Sequence, residues 1–230
     1  MKYVMSDIHG RLDKYNGMLQ AIDFSDEDEL YVIGDVIDRG LHGIEILKDI
    51  MKRTNVHMIM GNHELMAIDT ICSKGIISRW ANLNLWWQNG GQVTYSKYLS
   101  LNDKERNEIS LFLTNLPSFI ETEVNGQKFH MVHGFPADNM YSAVWTRPEL
   151  NTPNPLVERT LIVGHTPVVY LHGGNDEEIE RYIKELRRRK EHIKIEHADG
   201  FIAIDCGCCI DIPESRLGCL RLDDMEEFYV

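Results

Sequence analysis

The chain lacks any run of 18 or more apolar residues, although 43% of its 230 residues are hydrophobic. A membrane-spanning helix needs such a run, so we expect no contact with a membrane. Basic residues are also few: 24 lysines and arginines stand against 36 aspartates and glutamates, a formal net charge of −12. This charge opposes broad binding to nucleic acids, which requires a positive surface, but a local metal ion or arginine cluster would still allow a small anionic ligand.

Two features indicate a cytoplasmic protein. The five cysteines form an odd number, which suits a reducing compartment better than a disulfide framework. Three of them lie in CGCC (206–209), but C-x₂-C spacing and a second distant pair are missing, so we interpret this segment as a half-buried strand end rather than a zinc site. Asp7 and His9 also come too early in the chain to leave room for the apolar region of a signal peptide.

The first third of the chain alternates short apolar strands with amphipathic helices. Strands are predicted at 2–5, 29–33 and 56–60, and this alternation favours parallel strands in one sheet. A hairpin with an NG turn at 125–126 and strands at 160–165, 201–205 and 219–222 make the second half rich in strands. We predict a single domain over 1–230 with an α/β (α+β layered) fold, in which two mixed β-sheets pack face to face as a sandwich flanked by helices.

Two segments depart from the strand pattern. Residues 65–115 read as helical and aromatic, with Trp80, Leu83 and Trp87 on one helical face that we expect to pack in the core, and with a helix stop at NGG (89–91). Residues 172–198 read as a charged helical insertion, because acidic residues come first and basic ones later, as the helix dipole favours. We interpret this insertion as a solvated surface, with a basic flap that contacts substrate as the alternative.

Ligand-type side chains follow the predicted strands directly, each beside a glycine. They are Asp7 and His9, then Asp35 with Asp38 and Arg39, then Asn62 and His63, and finally His133 and His165. One such residue alone would be read as a structural histidine or a helix N-cap, but five strand ends of this kind indicate a shared site. A mixed set of Asp, His and Asn suits manganese, iron or zinc better than calcium. The sequence therefore predicts a dinuclear metal centre, which would also offset the charge of GDVIDRG (34–40).

These blocks resemble a known family. SDIHG, GDVIDRG, GNHE, VHG and GHT, in this order, are similar to the motifs of calcineurin-like metallophosphoesterases, and DRG and GNHE resemble the serine/threonine phosphoprotein phosphatase branch, above all its short bacterial and phage members. The resemblance covers about residues 1–170 and extends to FIAIDCG (201–207). It implies the metallophosphoesterase fold.

The resemblance also implies roles for individual residues. By it, Asp7 and His9 hold the first metal ion, Asp35 bridges, and Asn62, His133 and His165 hold the second. His63 would be the general acid, oriented by Asp38, while Arg39, Asn62 and Arg147 of WTR (145–147) would bind the phosphate. Two divalent ions are implied, with manganese expected ahead of iron or zinc, and a metal-bridged hydroxide would attack phosphorus in line.

The leading functional hypothesis is a phosphomonoesterase that acts on phosphoserine or phosphothreonine in proteins and on small phosphoesters. The alternative is a symmetrical dinucleoside tetraphosphate hydrolase of the diadenosine tetraphosphatase type, which shares most of these blocks but often lacks an aspartate at the position of Asp38. A non-catalytic scaffold is the third hypothesis. It is disfavoured because a scaffold should have lost metal ligands, and every ligand position is filled here.

Overall fold

Two five-stranded sheets form the centre of the protein in a computed structural model that describes residues 1–72 and 76–230, with the backbone alone for 76–79. Residues 73–75 of the predicted helical segment lie outside the described residues. The strands are β1 Lys2–Met5, β2 Glu29–Val32, β3 Val56–Met58, β4 Phe119–Val124, β5 Gln127–Val132, β6 Thr160–Val163, β7 Glu196–His197, β8 Ile202–Ala203, β9 Gly218–Arg221 and β10 Glu227–Tyr229. Their order is β10-β9-β1-β2-β3 in one sheet and β4-β5-β6-β8-β7 in the other.

The strand pairing follows the sequence prediction closely. Strands β1, β2 and β3 run parallel in one sheet, and β4 and β5 form an antiparallel hairpin. Asn125 and Gly126 turn this hairpin with φ angles of 52° and 82°, the left-handed backbone that a two-residue turn requires. Strands β7 and β10 were not predicted, because two and three residues are too few to show a periodic pattern.

The core between the sheets follows from strand alternation. Successive side chains of a strand point to opposite faces, so Val4 and Tyr31 pack with the second sheet, while Tyr3, Met5 and Val32 pack with the helices on the outer face. Each central strand is therefore buried on both faces, which explains its nearly continuous apolar sequence.

Helices cover the outer faces of the two sheets, as predicted. They are α1 Leu12–Ala21, α2 Gly43–Ile50, α3 Asn62–Ile71, α4 Ile76–Gln88, α5 Gln92–Ser100, α6 Asp103–Thr114, α7 Met140–Trp145, α8 Val168–Leu171 and α9 Asp176–Arg189. Helix α9 occupies the charged segment and is capped by the Asn175 side chain, which accepts from the Glu178 amide at 3.1 Å. Within the described part of the chain, no helix has the length and apolar character needed to span a membrane.

The prediction for the buried face of α4 was wrong for both outer tryptophans. Trp80 is 65% exposed and Trp87 is 39% exposed, whereas Leu83 and the fully buried Trp86 face the core. One residue along a helix turns the side chain by about 100°, so two adjacent tryptophans cannot both point inward. Periodicity alone does not predict whether Trp86 or Trp87 is buried. Trp86 is buried because its indole has a hydrogen-bond partner in the core, Asp38.

Candidate metal centre and active site

The carboxyl ends of six parallel strands, three from each sheet, meet at one place, and five of these strands lead into all the predicted site residues except Arg147. In the first sheet these strands are β1, β2 and β3, and in the second they are β5, β6 and β8. The loops that follow them touch across the two sheets. The Asp7 carboxylate accepts from the His165 amide at 3.0 Å, and His133 Nδ1 lies 2.8 Å from the Ile33 carbonyl oxygen. Residues 158 positions apart in sequence thus share one site.

Asp35 lies at the centre of the cluster. Its Oδ1 is 3.3 Å from His133 Nε2, and its Oδ2 is 3.6 Å from His9 Nε2 and 3.8 Å from His63 Nε2. Because the two oxygens face different imidazoles, this carboxylate could contact two cations at once. The ligand atoms of His9, Asp35 and His63, and those of Asp35, His133 and His165, each lie within 4.8 Å of one another.

The remaining predicted ligands lie at the edges of these two groups. Asp7 Oδ1 is 3.9 Å from His9 Nε2, and Asn62 Oδ1 is 3.0 Å from His133 Nε2. His63, which the resemblance assigns to proton transfer, stands geometrically within the first group rather than apart from it. By its distances, His63 could serve either as a metal ligand or as a general acid.

The backbone fixes how two of the histidines point. His9 Nδ1 donates to the Ile37 carbonyl at 3.0 Å, and His133 Nδ1 donates to the Ile33 carbonyl at 2.8 Å, so each ring turns its Nε2 toward Asp35. Such second contacts are typical of metal-binding histidines. Among the described residues, neither ring nitrogen of His165 has a hydrogen-bond partner, although both are buried. A bound cation would satisfy one of them, so the donor set fits a metal ion.

Much of the site is built on left-handed backbone. The residues and their φ angles are Asp7 55°, His9 47°, Asp35 55°, Asp38 72°, Arg39 63° and His165 60°. This conformation is uncommon outside glycine and costs on the order of 1 kcal/mol or more per residue, so the surrounding contacts must hold it in place. Gly34 shows why glycine is required beside the ligands: its φ is +88°, and an added Cβ would lie 2.7 Å from His133 Nδ1.

Glu64 supplies one of these holding contacts. Its side chain is fully buried and accepts from four backbone amides: Asp35 at 2.8 Å and Gly61 at 3.1 Å on one oxygen, and Val36 at 2.9 Å and Ile37 at 3.3 Å on the other. The last residue of GNHE thereby fixes the loop that carries Asp35. Burial and the negative charge of Asp35 raise the pKa of Glu64 to about 7.

The electrostatics of the cluster indicate an excess of negative charge. Burial raises the pKa of Asp7 and raises that of Asp205 well above the ordinary value. Burial opposes protonation of His133, but the charge of Asp35 outweighs it and raises the pKa of His133 to about 10. Burial and the neighbouring His133 lower the pKa of His165 to about 2. Buried carboxylates beside a neutral imidazole are what a divalent cation would stabilise.

A cavity of about 270 Å³ opens beside the cluster. Both predicted phosphate-binding arginines line it. Arg39 places Nη1 2.9 Å from His9 Nε2 and Nη2 3.2 Å from His63 Nε2. Arg147 donates from Nη1 to the His165 carbonyl at 3.0 Å, which holds its guanidinium in place. Among the described residues that line this cavity, none comes from α9, so the flap interpretation of that helix has no contact in its support.

Behind the cavity, His63 and Asp38 form a buried pair. His63 Nδ1 donates to Asp38 Oδ2 at 2.6 Å, and both side chains are almost completely buried. The negative charges of Asp35 and Asp38 outweigh burial, which acts in the opposite direction, and raise the pKa of His63 above its ordinary value. The pair therefore holds an imidazole in a fixed orientation behind the cavity.

Sequence reasoning missed three residues of this site. Asp205 ends the predicted strand 201–205 beside CGCC and lines the cavity, so the same strand-end rule that found Asp35 could have found it. The sequence prediction gives no role to Glu64 of GNHE, and a glutamate at the third position of a helix is usually a capping residue. Trp86 was read only as part of an aromatic helix. No sequence signal pointed to its contact with Asp38, which lies 48 positions away.

Comparison with known proteins identifies the family. Residues 3–202 match the calcineurin-like phosphoesterase model. Serine/threonine-protein phosphatase 2 of Salmonella typhimurium is 30% identical over 158 residues, 64% of this chain and 68% of that protein. The symmetrical bis(5'-nucleosyl)-tetraphosphatase of Haemophilus ducreyi is 32% identical over 71 residues, 30% of this chain and 26% of that protein.

A solved structure supports the fold independently. A protein serine/threonine phosphatase from Saccharomyces cerevisiae superposes with a TM-score of 0.59 at 14% identity, covering 100% of this chain and 78% of that one. Three observations indicate the same family: two mixed sheets flanked by helices, a cluster of metal-type ligands at the carboxyl ends of their strands, and the family match. The chain belongs to the calcineurin-like phosphoesterase family and is a hydrolase of phosphoester bonds.

Proposed function

We propose that this protein is a metal-dependent phosphomonoesterase that removes phosphate from phosphoserine or phosphothreonine in proteins. The observation that carries the proposal is the buried pair of His63 and Asp38 beside the cavity, with 2.6 Å between Nδ1 and Oδ2. The alkoxide of serine or threonine is a strongly basic leaving group, so it must receive a proton as the ester bond breaks. A histidine held by an aspartate next to the reacting phosphate supplies that proton.

Two cation positions are part of this proposal. Asp7, His9 and Asp35 would hold one divalent ion, and Asp35, Asn62, His133 and His165 would hold the other. Manganese is expected, with iron or zinc as the other candidates. When bound, two such ions lower the pKa of a water molecule and offset the charge of the phosphoryl group. Two groups of His and Asp ligand atoms support this proposal, as does the ring of His165, which has no hydrogen-bond partner among the described residues.

The two arginines would orient the substrate. Arg39 and Arg147 both line the cavity, and a planar guanidinium can donate two parallel hydrogen bonds to phosphate oxygens. Asn62 also lines the cavity and can donate from its amide. Held between these groups, the phosphate would present its ester oxygen toward His63.

The second candidate is a symmetrical dinucleoside tetraphosphate hydrolase. The match to the Haemophilus ducreyi enzyme favours it, although that match covers only 30% of this chain. Its leaving group would be a nucleotide phosphate, which is weakly basic and needs little help from an acid. The His63–Asp38 pair therefore supports the ester of an alcohol over a polyphosphate.

A substrate panel tests the proposal. Purified protein is incubated with a phosphoserine peptide, p-nitrophenyl phosphate or diadenosine tetraphosphate, with Mn²⁺, Fe²⁺ or Zn²⁺ added in turn, and phosphate or nucleotide release is measured. We expect the peptide and the aryl phosphate to be hydrolysed with Mn²⁺. The Asp35→Asn variant should be inactive, whereas Asp13→Asn, with a side chain 61% exposed, should behave as the wild type.

The panel also separates the alternatives. A kcat/KM for diadenosine tetraphosphate well above that for the peptide would assign the protein to the second candidate. Hydrolysis of none of the three substrates with any of the ions would favour the non-catalytic scaffold. Metal analysis of the same samples measures how many divalent ions each protein molecule binds.

A further inference from the structure

Residues 86–94, which join the end of α4 to the first turn of α5, contact the GDVIDRG loop through side chains and backbone. The Trp86 indole is completely buried, and its Nε1–H donates to Asp38 Oδ2 at 2.6 Å. This is the same oxygen that accepts from His63 Nδ1. Within the described residues, the other oxygen, Asp38 Oδ1, is buried without a hydrogen-bond partner. Trp86 and His63 are therefore the two donors that fix the torsion of this carboxylate.

The backbone of the loop is held from the same side. The Asp38 amide donates to Thr94 Oγ1 at 2.9 Å, and the Arg39 amide donates to the Gly90 carbonyl at 3.1 Å. Both loop residues have left-handed φ angles, 72° for Asp38 and 63° for Arg39, which need such external contacts.

The glycines of NGG permit this close approach. Gly90 has a φ of +92°, and an added Cβ would lie 3.0 Å from Arg39 Cγ. An added Cβ on Gly91 would lie 2.4 Å from the Trp86 ring. The helix stop predicted at NGG therefore has a second role. Glycine at positions 90 and 91 leaves the space in which the indole packs against Asp38.

We propose that Trp86 is a positioning residue for catalysis: its indole N–H holds Asp38 so that His63 presents a proton to the leaving group. This inference rests on the proposed phosphomonoesterase activity. Without the indole N–H, Asp38 Oδ2 keeps His63 as its one donor among the described residues, and the carboxylate can rotate and carry the imidazole with it. The loss of kcat should therefore be greatest for substrates whose leaving group must receive a proton.

Leaving-group dependence tests this role. Trp86→Phe keeps the aromatic bulk and removes the donor, and it is assayed with Mn²⁺ on a phosphoserine peptide and on p-nitrophenyl phosphate. We expect kcat for the peptide to fall about ten- to a hundred-fold, the range of a hydrogen bond to a charged group, with KM nearly unchanged. For p-nitrophenyl phosphate, whose phenolate leaves without a proton, kcat should change by less than about threefold.

Matched variants separate positioning from general damage. Trp87→Phe changes the adjacent, 39% exposed tryptophan and should leave both activities as in the wild type. Thr94→Val removes only the hydroxyl that accepts the Asp38 amide, and it should give the same selective loss at about fivefold. It serves as the test if Trp86→Phe does not fold, as judged by its thermal unfolding.

A spectroscopic readout does not depend on turnover. The chain has four tryptophans, so its indole N–H groups give a small, resolvable set of ¹H–¹⁵N resonances. The resonance that disappears in Trp86→Phe should lie downfield and should shift in Asp38→Asn, while the other three stay in place. Equal loss on both substrates, or an indole resonance that ignores Asp38→Asn, overturns the positioning role alone. A wild-type protein that is inactive on both substrates overturns the phosphomonoesterase itself.

Discussion

Replacement of Glu64 by glutamine should destabilise the protein far more than an exposed Glu→Gln change. In the native fold, the two oxygens of Glu64 accept from four backbone amides at 2.8 to 3.3 Å, and the side chain is fully buried. Glutamine replaces one oxygen by an NH₂ group, so two of the four amides lose their acceptor and face another donor. A hydrogen bond to a charged group contributes about 1.5–3 kcal/mol, which gives a loss of about 3 kcal/mol or more.

Thermal and urea unfolding measure this loss. For a chain of this size, each kcal/mol shifts Tm by about 2–4 °C, so Tm should fall by about 6–12 °C. The pKa of Glu64 is raised to about 7, so the measurement is made about one pH unit higher, where the carboxylate of the wild type is ionised. The urea midpoint should fall with an unchanged m value, since the surface exposed on unfolding is the same.

The matched control is Glu108→Gln on α6, where the side chain is 53% exposed and lies 3.8 Å from Lys104. It should change the free energy of unfolding by less than about 0.5 kcal/mol. The reasoning is refuted if Glu64→Gln is as stable as this control, because the loop carrying Asp35 would then not depend on the carboxylate. Metal content measured on the same samples should fall for Glu64→Gln and stay constant for Glu108→Gln.

Three further outcomes are expected. His63→Asn should slow turnover of a phosphopeptide by a factor of about 10² or more while metal content stays the same, and metal loss would instead make His63 a ligand. Leu83→Ala should cost about 2–4 kcal/mol in urea unfolding, whereas Trp80→Ser, at a 65% exposed position of the same helix, should cost less than about 0.5 kcal/mol. In a thiol titration of the native protein, exposed Cys72 should react quickly and Cys219 only after unfolding, because burial raises the pKa of the Cys219 thiol and a thiolate is needed for reaction; fast labelling of Cys219 would contradict its burial.

The strands and the sheet arrangement could be predicted because their signals are local. The strand at 2–5 matches β1 at both ends, and Asn125-Gly126 predicts the hairpin turn without any long-range contact. Short apolar runs with turn residues between them fix the element type, and parallel connections then limit the topology. The shortest strands, β7 and β10, escaped because their register depends on neighbours far away in sequence.

The face of α4 shows where local pattern fails. Trp86 and Trp87 are adjacent and equally apolar, so periodicity cannot choose which one is buried. The choice follows from Asp38, whose carboxylate pairs with an indole donor of Trp86 but not with the more exposed ring of Trp87. A buried carboxylate oxygen, Asp38 Oδ2, therefore explains which face of α4 is buried.

The identity of the ligand-type residues was already present in the order of residues along the chain, because each one follows directly on a strand and beside a glycine. Their meeting, and the contacts that hold them, came only with the fold. Glu64 binds a loop 27 to 29 positions away, and Asp7 meets His165 across 158 positions. The first contact needs β2 and β3 to pair in one sheet, and the second needs the two sheets to pack together. No local periodicity encodes which distant amide a buried carboxylate will bind.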